Sequence, residues 1–337
     1  MKRLAVVVCN SGLGHIKRVL YLLDLLGQRF PGGLEILVFV DLAKLRKFPT
    51  LFDKLQVQKV KVNFFNIQAD VLEYEQEFIA KYKDELQKVD FIWSDNLVFP
   101  LKYRREVFLT GSFLWFEVIP EHIEMKREEE IFFSRQPVLI GNKDFTTPRL
   151  QATSSFAGVG IYDYFPRIAK GANRSKGILL SCGGTEGART FFQKELPAVR
   201  KELESIGKDA EIFVEPDFYE ALKGQGVKKA DFSKAMFESV AAAVTRPGMG
   251  TVCDTLATGG RIFAFHEKQN NFEVKHNALV LEKLNAGQKC GGVVEALQAA
   301  FEYVNDADAR KRNGEALRKL DFTGLEQTVV KIQEILN

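Results

Sequence analysis

The sequence has few cysteines and lacks the short motifs that mark several enzyme classes. Its four cysteines are widely spaced, with no CxxC pair. Two of them, Cys9 and Cys182, end apolar runs typical of buried strands, which favours a reduced cytoplasmic protein with structural thiols. The chain has no HExxH, no GxSxG and no GxxxxGK[ST]. Zinc proteases, serine hydrolases and P-loop nucleotide triphosphatases are therefore excluded, and no metal site is predicted.

Neither charge nor hydrophobic length indicates a nucleic acid or a membrane span. A net charge of +3 is too small for a nucleic-acid-binding face. No apolar run approaches the ~20 residues of a membrane helix, and the six apolar residues after Arg3 lead into Asn10 and Ser11, which does not suit a signal peptide. Two aromatic segments with nearby basic residues, 97–103 and 113–116, leave a peripheral membrane contact open, although such runs are more often core strands.

What the chain does have is an alternation of short apolar runs with helical patterns. Its 337 residues, 46% of them apolar, suit two domains, with one large domain as the alternative. The alternation predicts an α/β fold with parallel sheets covered by helices. A small, polar and basic stretch at 168–176 resembles a linker. We expect an N-terminal domain over residues 1–170 and a second one over 177–320. Strands are predicted at 4–9, 35–40, 60–65, 90–94, 106–110, 137–140, 177–182, 210–214, 241–245 and 261–265.

The two halves begin alike, with an apolar strand that ends in cysteine, then a glycine turn, then a helix. Ligands of open parallel sheets bind beyond the carboxyl ends of the strands. Two such Rossmann-like domains facing each other would form a cleft lined by both glycine loops. The alternative is that these glycines serve only the tight turns between strand and helix.

The first glycine loop, NSGLGHIKR, contains a candidate base. Gly12 and Gly14 allow a ligand to approach the backbone, and His15 follows them at the start of a helix. An imidazole, with a reference pKa of about 6.5, takes up a proton near neutral pH. Asp95, at the end of a predicted strand, is a candidate to orient it. Both residues have an alternative role as caps or turn residues. Lys17 and Arg18 are candidate phosphate contacts, but residues in the first turn of a helix are more often solvated, and we expect that here.

The other two glycine loops suit a nucleotide sugar. In SCGGTEG, Gly183 and Gly184 let the backbone approach a charged group, and Thr185 offers a hydroxyl. In the long segment 245–278, Gly248 and Gly250 leave backbone N–H groups free at a helix N-terminus, where a phosphate binds. The neighbouring polar side chains suit ribose and sugar hydroxyls; they are Asp254, Gln269, Asn270 and Asn271.

At these residues the sequence resembles the GT-B glycosyltransferases. The three parts that carry the likeness are GLGH, CGGTEG and RPGMGTVCDTLATGG with the following HEKQNNFEVKHNA and LEKLNAG. The nearest likeness is to the N-acetylglucosaminyltransferase of peptidoglycan synthesis and to family-28-like and family-1-like enzymes. The resemblance implies two Rossmann-like domains facing a cleft, a donor held mainly by the C-terminal domain, and a final segment, 321–337, whose helix crosses back to the N-terminal domain.

The same resemblance implies roles for individual residues. The diphosphate would lie against the glycine loops, and Asp254 stands where the family usually has a ribose-binding Glu. Gln269 and Asn270 would contact the sugar, and Phe232 would lie near the base. The diphosphate contacts implied in this way are Gly183, Gly184, Thr185, Gly248, Met249, Gly250 and Thr251, and Arg246 opens the last of these loops.

The predicted function is metal-independent transfer of a sugar from a nucleoside diphosphate sugar, UDP-sugar first among them, to an acceptor hydroxyl. The donor is a substrate, and no cofactor is predicted. GLGHIKR also resembles the loop of the UDP-sugar hydrolases of pseudaminic acid synthesis, so hydrolysis is one alternative. A non-catalytic nucleotide-sugar-binding protein is the other. The acceptor, the sugar and the stereochemical outcome are left open by the sequence.

Overall fold

The computed structural model describes residues 1–30, 33–56, 60–165, 176–183, 186–206, 210–266 and 272–337. They form two compact units. The first contains Met1–Gly160 and Thr323–Asn337, and the second contains Ile161–Phe322. The predicted linker at 168–176 lies outside the described residues except for Lys176.

The first unit contains a parallel sheet of seven described strands in the order β3-β2-β1-β4-β5-β6-β7. The strands are β1 (Lys2–Val8), β2 (Leu34–Val40), β3 (Lys61–Asn66), β4 (Phe91–Asp95), β5 (Val107–Thr110), β6 (Leu139–Asn142) and β7 (Phe156–Val159). The helices of this unit are α1 (Leu13–Arg29), α2 (Leu42–Leu45), α3 (Pro49–Gln56), α4 (Tyr74–Gln87), α5 (Trp115–Val118), α6 (Ile123–Arg135), α7 (Pro148–Gln151) and the last helix of the chain, α15 (Gly324–Leu336).

The apolar runs explain why β1 and β2 are interior strands of this sheet, with a neighbouring strand on each side. Strand β2, LEILVFV, is buried along its whole length, as expected for a parallel strand covered by helices on both faces. Helix α1 buries Ile16, Val19, Leu22 and Leu26, a spacing of three to four residues that places one apolar face against the sheet. These contacts fix the direction in which α1 leaves β1.

Helix α15 belongs to the first unit although it follows the whole of the second in the chain. It packs on α1 and against β6 and β7. The side-chain oxygen of Gln327 accepts a hydrogen bond of 2.7 Å from the backbone N–H of Gly160, and Glu326 pairs with Arg29. The first unit is therefore built from two separate stretches of chain.

The second unit contains a parallel sheet of six described strands in the order β10-β9-β8-β11-β12-β13. They are β8 (Gly177–Ser181), β9 (Ile212–Val214), β10 (Lys228–Lys229), β11 (Val240–Thr245), β12 (Arg261–Ala264) and β13 (Gly287–Lys289). The helices are α8 (Glu186–Ser205), α9 (Pro216–Leu222), α10 (Lys234–Ser239), α11 (Met249–Ala257), α12 (Phe272–Lys283), α13 (Val293–Asn305) and α14 (Ala307–Leu317).

The predicted fold class, α/β with two Rossmann-like domains, is confirmed by the two parallel sheets. The sequence missed three strands, β7, β10 and β13, and the helices α2, α3, α5, α7 and α9. Strands β10 and β13 have only two and three residues, too few for an alternating pattern to be visible. Strand β7, FAGV, has two small residues among its four.

Candidate active site

In the first unit, His15 and Asp95 lie near the carboxyl ends of β1 and β4. The strand order reverses between these two strands, and ligands of open parallel sheets bind at such a switch point because the loops there diverge. His15 lies in the first turn of α1, whose N-cap is Gly12. Gly12 has a φ of 86°, a left-handed conformation that a residue with Cβ rarely adopts. Gly14 is exposed beside His15.

The imidazole of His15 is hydrogen-bonded to the carboxylate of Asp95. Nδ1 of His15 lies 2.8 Å from Oδ2 of Asp95, and the exposed fractions of the two side chains are 12% and 0%. An ionised carboxylate only accepts hydrogen bonds, so Nδ1 carries the proton in this contact and Nε2 is the second ring nitrogen, turned away from Asp95. The acid therefore fixes the orientation of the ring.

Arg18 is buried, contrary to the expectation that it is solvated. Its side chain is only 7% exposed. Nε and Nη2 donate hydrogen bonds of 3.0 and 2.6 Å to Oδ1 of Asp95, and Nη2 also donates one of 2.9 Å to Oδ1 of Asn96. The same Nη2 lies 3.2 Å from Nδ1 of His15. A guanidinium is thus part of the His15–Asp95 group, which the sequence reading did not foresee.

A further contact of Asp95 comes from Thr110 on β5. Thr110 donates its hydroxyl to Oδ1 of Asp95 at 2.9 Å and accepts a hydrogen bond of 2.8 Å from the indole of Trp93. Burial alone would raise the pKa of Asp95, but the charge of Arg18 and the hydrogen bond from His15 outweigh it and lower that pKa below its ordinary value. Asp95 is therefore an anion held by three side chains.

Asn96 fixes the guanidinium from the other side. Its backbone has a φ of 60°, a left-handed conformation that Asn adopts more readily than most residues, and its amide donates a hydrogen bond of 2.9 Å to the carbonyl of Phe113. A Cβ at Gly111 would lie 2.4 Å from Oδ1 of Asn96. The absence of a side chain at Gly111 therefore makes room for the amide that binds Arg18.

In the second unit, the corresponding switch point lies between β8 and β11. Gly183 follows β8 with a φ of 84°, which suits the predicted glycine turn. The carboxylate of Glu215 accepts hydrogen bonds from the hydroxyl of Ser181 at 2.6 Å and from the backbone N–H groups of Cys182 and Gly183 at 2.8 and 3.3 Å. Two of the amides at the start of this glycine loop are thus occupied by an acid of the protein itself.

Glu215 was not singled out by the sequence. It precedes α9 but makes no side-chain hydrogen bond to that helix; its carboxylate is turned towards the end of β8 instead. Burial and the charge of Glu215 raise the pKa of the Cys182 thiol well above its ordinary range. Cys182 is therefore an uncharged hydrogen-bond donor to Glu215, with its sulfur 3.2 Å from Oε1.

The glycine turn after β11 leads directly into α11. Gly248 is its N-cap and has no side chain to cap the helix, so the N–H groups of the first turn have no partner within the helix. Met249, Gly250 and Thr251 form that turn and are half-buried. Asn277 of α12 donates a hydrogen bond of 2.9 Å to the carbonyl of Pro247, which fixes the loop. This helix N-terminus has the geometry of an anion site.

Three further predicted donor residues lie in the described part of the second unit. Arg246 and Asp254 are buried, with exposed fractions of 8% and 6%. Phe232 is 38% exposed, has a φ of 53°, and its ring lies 6.3 Å from that of Phe237. Five other predicted residues lie outside the described residues: Gly184, Thr185, Gln269, Asn270 and Asn271.

The two aromatic segments considered for membrane contact belong largely to the core. Leu97 to Leu101 are buried, as are Phe113, Leu114 and Phe116, so these side chains form no exposed apolar surface. Within the described ranges, every helix is too short or too polar to span a bilayer. In the same ranges, no three His, Cys, Asp or Glu side chains are grouped so as to bind a metal ion.

Comparison with solved structures finds glycosyltransferases of the same fold over the whole chain. UGT73P12 of Glycyrrhiza uralensis, complexed with glycyrrhetinic acid 3-O-monoglucuronide, has a TM-score of 0.69 and 12% identity, with 100% of this chain and 96% of that chain covered. MurG of Acinetobacter baumannii has a TM-score of 0.63 and 15% identity, with 99% and 100% covered. The spinosyn rhamnosyltransferase SpnG, complexed with thymidine diphosphate, has a TM-score of 0.60 and 13% identity, with 99% and 100% covered.

No family model matches the chain, and no curated protein matches it significantly. At 12–15% identity the likeness to solved structures concerns the fold. This chain has the GT-B fold, as the resemblance of its three glycine loops predicted.

Proposed function

We propose that this chain is a glycosyltransferase that moves a sugar from a nucleoside diphosphate sugar to an acceptor hydroxyl without a metal ion. The observation that carries the proposal is the hydrogen bond of 2.8 Å between His15 and Asp95 at the switch point of the first sheet. The GT-B fold supports it, because the similar structures are glycosyltransferases.

In this proposal His15 is the catalytic base. Its Nε2 takes the proton of the acceptor hydroxyl as that oxygen attacks the sugar carbon, and Asp95 stabilises the imidazolium that forms. Asp95 is a positioning residue, since it acts through the imidazole and holds the tautomer in which Nε2 is unprotonated.

The donor groups are assigned to the second unit. The N-terminus of α11, with Gly248, Met249, Gly250 and Thr251, is proposed to stabilise the charge on the departing diphosphate, a fixed-dipole effect that is often the largest catalytic contribution. Asp254 is proposed for the ribose, Phe232 for the base, and Gln269 and Asn270 for the sugar. A solved structure of SpnG contains thymidine diphosphate, so both UDP-sugars and TDP-sugars belong in the test.

The second candidate function is hydrolysis of a nucleotide sugar, favoured by the likeness of GLGHIKR to the loop of sugar-nucleotide hydrolases. The same base would then activate water. The experiment is incubation of the protein with UDP-, TDP- and GDP-sugars, with and without a panel of alcohol and phenol acceptors, in EDTA. Product analysis by mass spectrometry decides: a glycosylated acceptor supports transfer, and free sugar formed equally fast without acceptor shows hydrolysis.

The His15→Ala variant tests the base. We expect kcat to fall by about 10²–10⁴ while the Kd for the nucleoside diphosphate stays unchanged, because His15 touches the reacting hydroxyl and not the nucleotide. His122→Ala, which changes a histidine at the N-cap of α6, is the matched control and keeps its activity. Nucleotide binding without turnover of any donor would overturn both enzymatic functions, and full activity of His15→Ala would overturn the base assignment.

A further inference from the structure

Arg18 lies one helical turn after His15 on α1 and contacts His15, Asp95 and Asn96. Its guanidinium reaches Oδ1 of Asp95 by two hydrogen bonds, of 3.0 and 2.6 Å, and Oδ1 of Asn96 by a third. Nη2 is at the same time 3.2 Å from Nδ1 of His15. An ion pair that served only the packing of α1 on the sheet would not require a contact with the imidazole.

The contact between Nη2 and Nδ1 is not a hydrogen bond. Nδ1 already carries a proton, which it donates to Asp95, and a guanidinium has no acceptor. A positive charge is therefore held against the imidazole at hydrogen-bonding distance, and it repels a second positive charge on the ring. The neutral ring is tolerated there, whereas the imidazolium is disfavoured.

The charges of His15, Asp95 and Arg18 together determine how readily the ring takes up a second proton. Among the three side chains, neutral His15, the anion Asp95 and the cation Arg18 sum to zero, and protonation of the ring adds one positive charge to this group. Without Arg18, the same protonation would neutralise Asp95 and would be strongly favoured. Asn96 and Thr110, which also contact Arg18 or Asp95, are neutral, and burial raises the pKa of the Cys9 thiol to about 12.

We infer that Arg18 is a positioning residue that cancels the charge of Asp95 and thereby keeps Nε2 of His15 unprotonated near neutral pH. Asp95 orients the ring, and Arg18 prevents this acid from also trapping a proton on it. The inference deepens the proposed function, since it rests on His15 as the base. The ion pair itself does not depend on what the substrate is.

The test is an NMR titration of the histidine ring protons, which needs no substrate. The chain has four histidines, and His15→Asn assigns the signal. In Arg18→Gln, which keeps a hydrogen-bonding side chain but no charge, we expect the midpoint of the His15 titration to rise by at least one pH unit, about tenfold in the protonation equilibrium. In Arg18→Lys, which keeps the charge, it stays within about 0.3 pH unit of the wild type. A structural role alone would not separate the two variants in this way.

An unshifted midpoint in Arg18→Gln, or equal shifts in both variants, overturns the inference. If Arg18→Gln does not fold, the single variant Asp95→Asn is compared with the double variant Arg18→Met/Asp95→Asn. The midpoint of the His15 titration in the double variant must then lie at least one pH unit above that in the single variant. In the activity assay the acid limb of the kcat/KM profile moves up with the midpoint in Arg18→Gln. If the His15 midpoint does not shift in Arg18→Gln but the wild type transfers sugar, only the role of Arg18 is refuted. If the midpoint shifts but the wild type has no activity on any donor, only the proposed function is refuted.

Discussion

The two switch points contain a buried acid each, but the acids are held in different ways. Asp95 in the first unit is bound by side chains, among them the cation Arg18. Glu215 in the second is bound by the hydroxyl of Ser181, the thiol of Cys182 and backbone N–H groups. One acid therefore orients the imidazole of His15, and the other holds the backbone of a glycine loop.

The comparison teaches what each acid is suited to do. A carboxylate matched by a guanidinium keeps its charge in a buried place and can act on a neighbouring imidazole. A carboxylate matched by amide dipoles fixes the conformation of the chain that supplies them. It also takes up the N–H groups of Cys182 and Gly183, so the proposed function predicts a diphosphate at the N-terminus of α11 rather than at these two residues.

The largest effect is expected on replacing Asp95. Asp95→Ala leaves Arg18 buried without its counter-charge, and we expect the free energy of unfolding of the first unit to fall by about 3–5 kcal/mol. Urea denaturation followed by tryptophan fluorescence measures this, because both tryptophans of the chain, Trp93 and Trp115, lie in the first unit. The double variant Arg18→Met/Asp95→Leu should recover most of the loss. A loss of unfolding free energy below about 1 kcal/mol for Asp95→Ala would show that the protein tolerates the buried charge of Arg18 without Asp95.

A smaller loss is expected for Glu215→Ala, which leaves neutral donors without their acceptor. The free energy of unfolding of the second unit should fall by about 1–3 kcal/mol, measured by circular dichroism. The tryptophan transition, which reports the first unit, should stay in place. Glu215→Gln, which keeps an acceptor oxygen, should lose less, and Glu220→Ala on the exposed side of α9 is the control. Equal losses for Asp95→Ala and Glu215→Ala would remove the distinction between the two acids.

Gly111→Ala tests how closely Asn96 is fitted to Arg18. The added Cβ would lie 2.4 Å from Oδ1 of Asn96, so the amide must move from the guanidinium, and we expect a loss of about 1–3 kcal/mol in the tryptophan transition. Gly33→Ala, where a Cβ meets nothing within 4 Å, is the matched control in the same unit. An unchanged transition in Gly111→Ala would mean that the amide has another position of equal energy.

The smallest effect concerns a third buried acid, Glu128 on α6, in which burial outweighs the nearby Lys102 and raises the pKa to about 7. The folded state binds this proton more tightly than the unfolded state does. The contribution of Glu128 to the free energy of unfolding is therefore complete below the ordinary pKa of 4.5 and is lost as the pH rises through about 7. Glu128→Gln should therefore be more stable than the wild type at pH 8, by about 1–2 kcal/mol, and equally stable at pH 4. The exposed Glu130→Gln is the control. A gain of the same size at both pH values would contradict the raised pKa.

The sequence predicted the parts of the site that depend on the chain order of strand, turn and helix. His15 and Asp95 follow from that order, since both come after apolar strands whose carboxyl ends meet. Arg18 is three residues after His15, a spacing that places two side chains on one helix face. This spacing is a sequence signal for their contact, although Arg18 was expected to be solvated. Its burial depends on Asp95 and Asn96 of another strand, and no local pattern contains that information.

Glu215 was beyond prediction for a related reason. The sequence VEP indicates an acid before a helix that begins with proline, which favours a helix cap. Its carboxylate instead accepts from Ser181 and Cys182, because β9 lies beside β8 in the sheet. Strand neighbours are set by the whole fold, so contacts across them are visible only in the structure.

The return of the chain to its first unit has a practical consequence. Gly160 and Gln327 are joined by a hydrogen bond in that unit, and the backbone N–H of Ile161 donates to the carbonyl of Asp321 in the other, at 2.7 Å. The second unit is thus an insertion whose first and last residues lie side by side. A direct connection from Gly160 to Thr323 would delete it as one continuous segment. A foreign α/β module grafted between the same two points would leave the His15–Asp95 pair and helix α15 in their native unit.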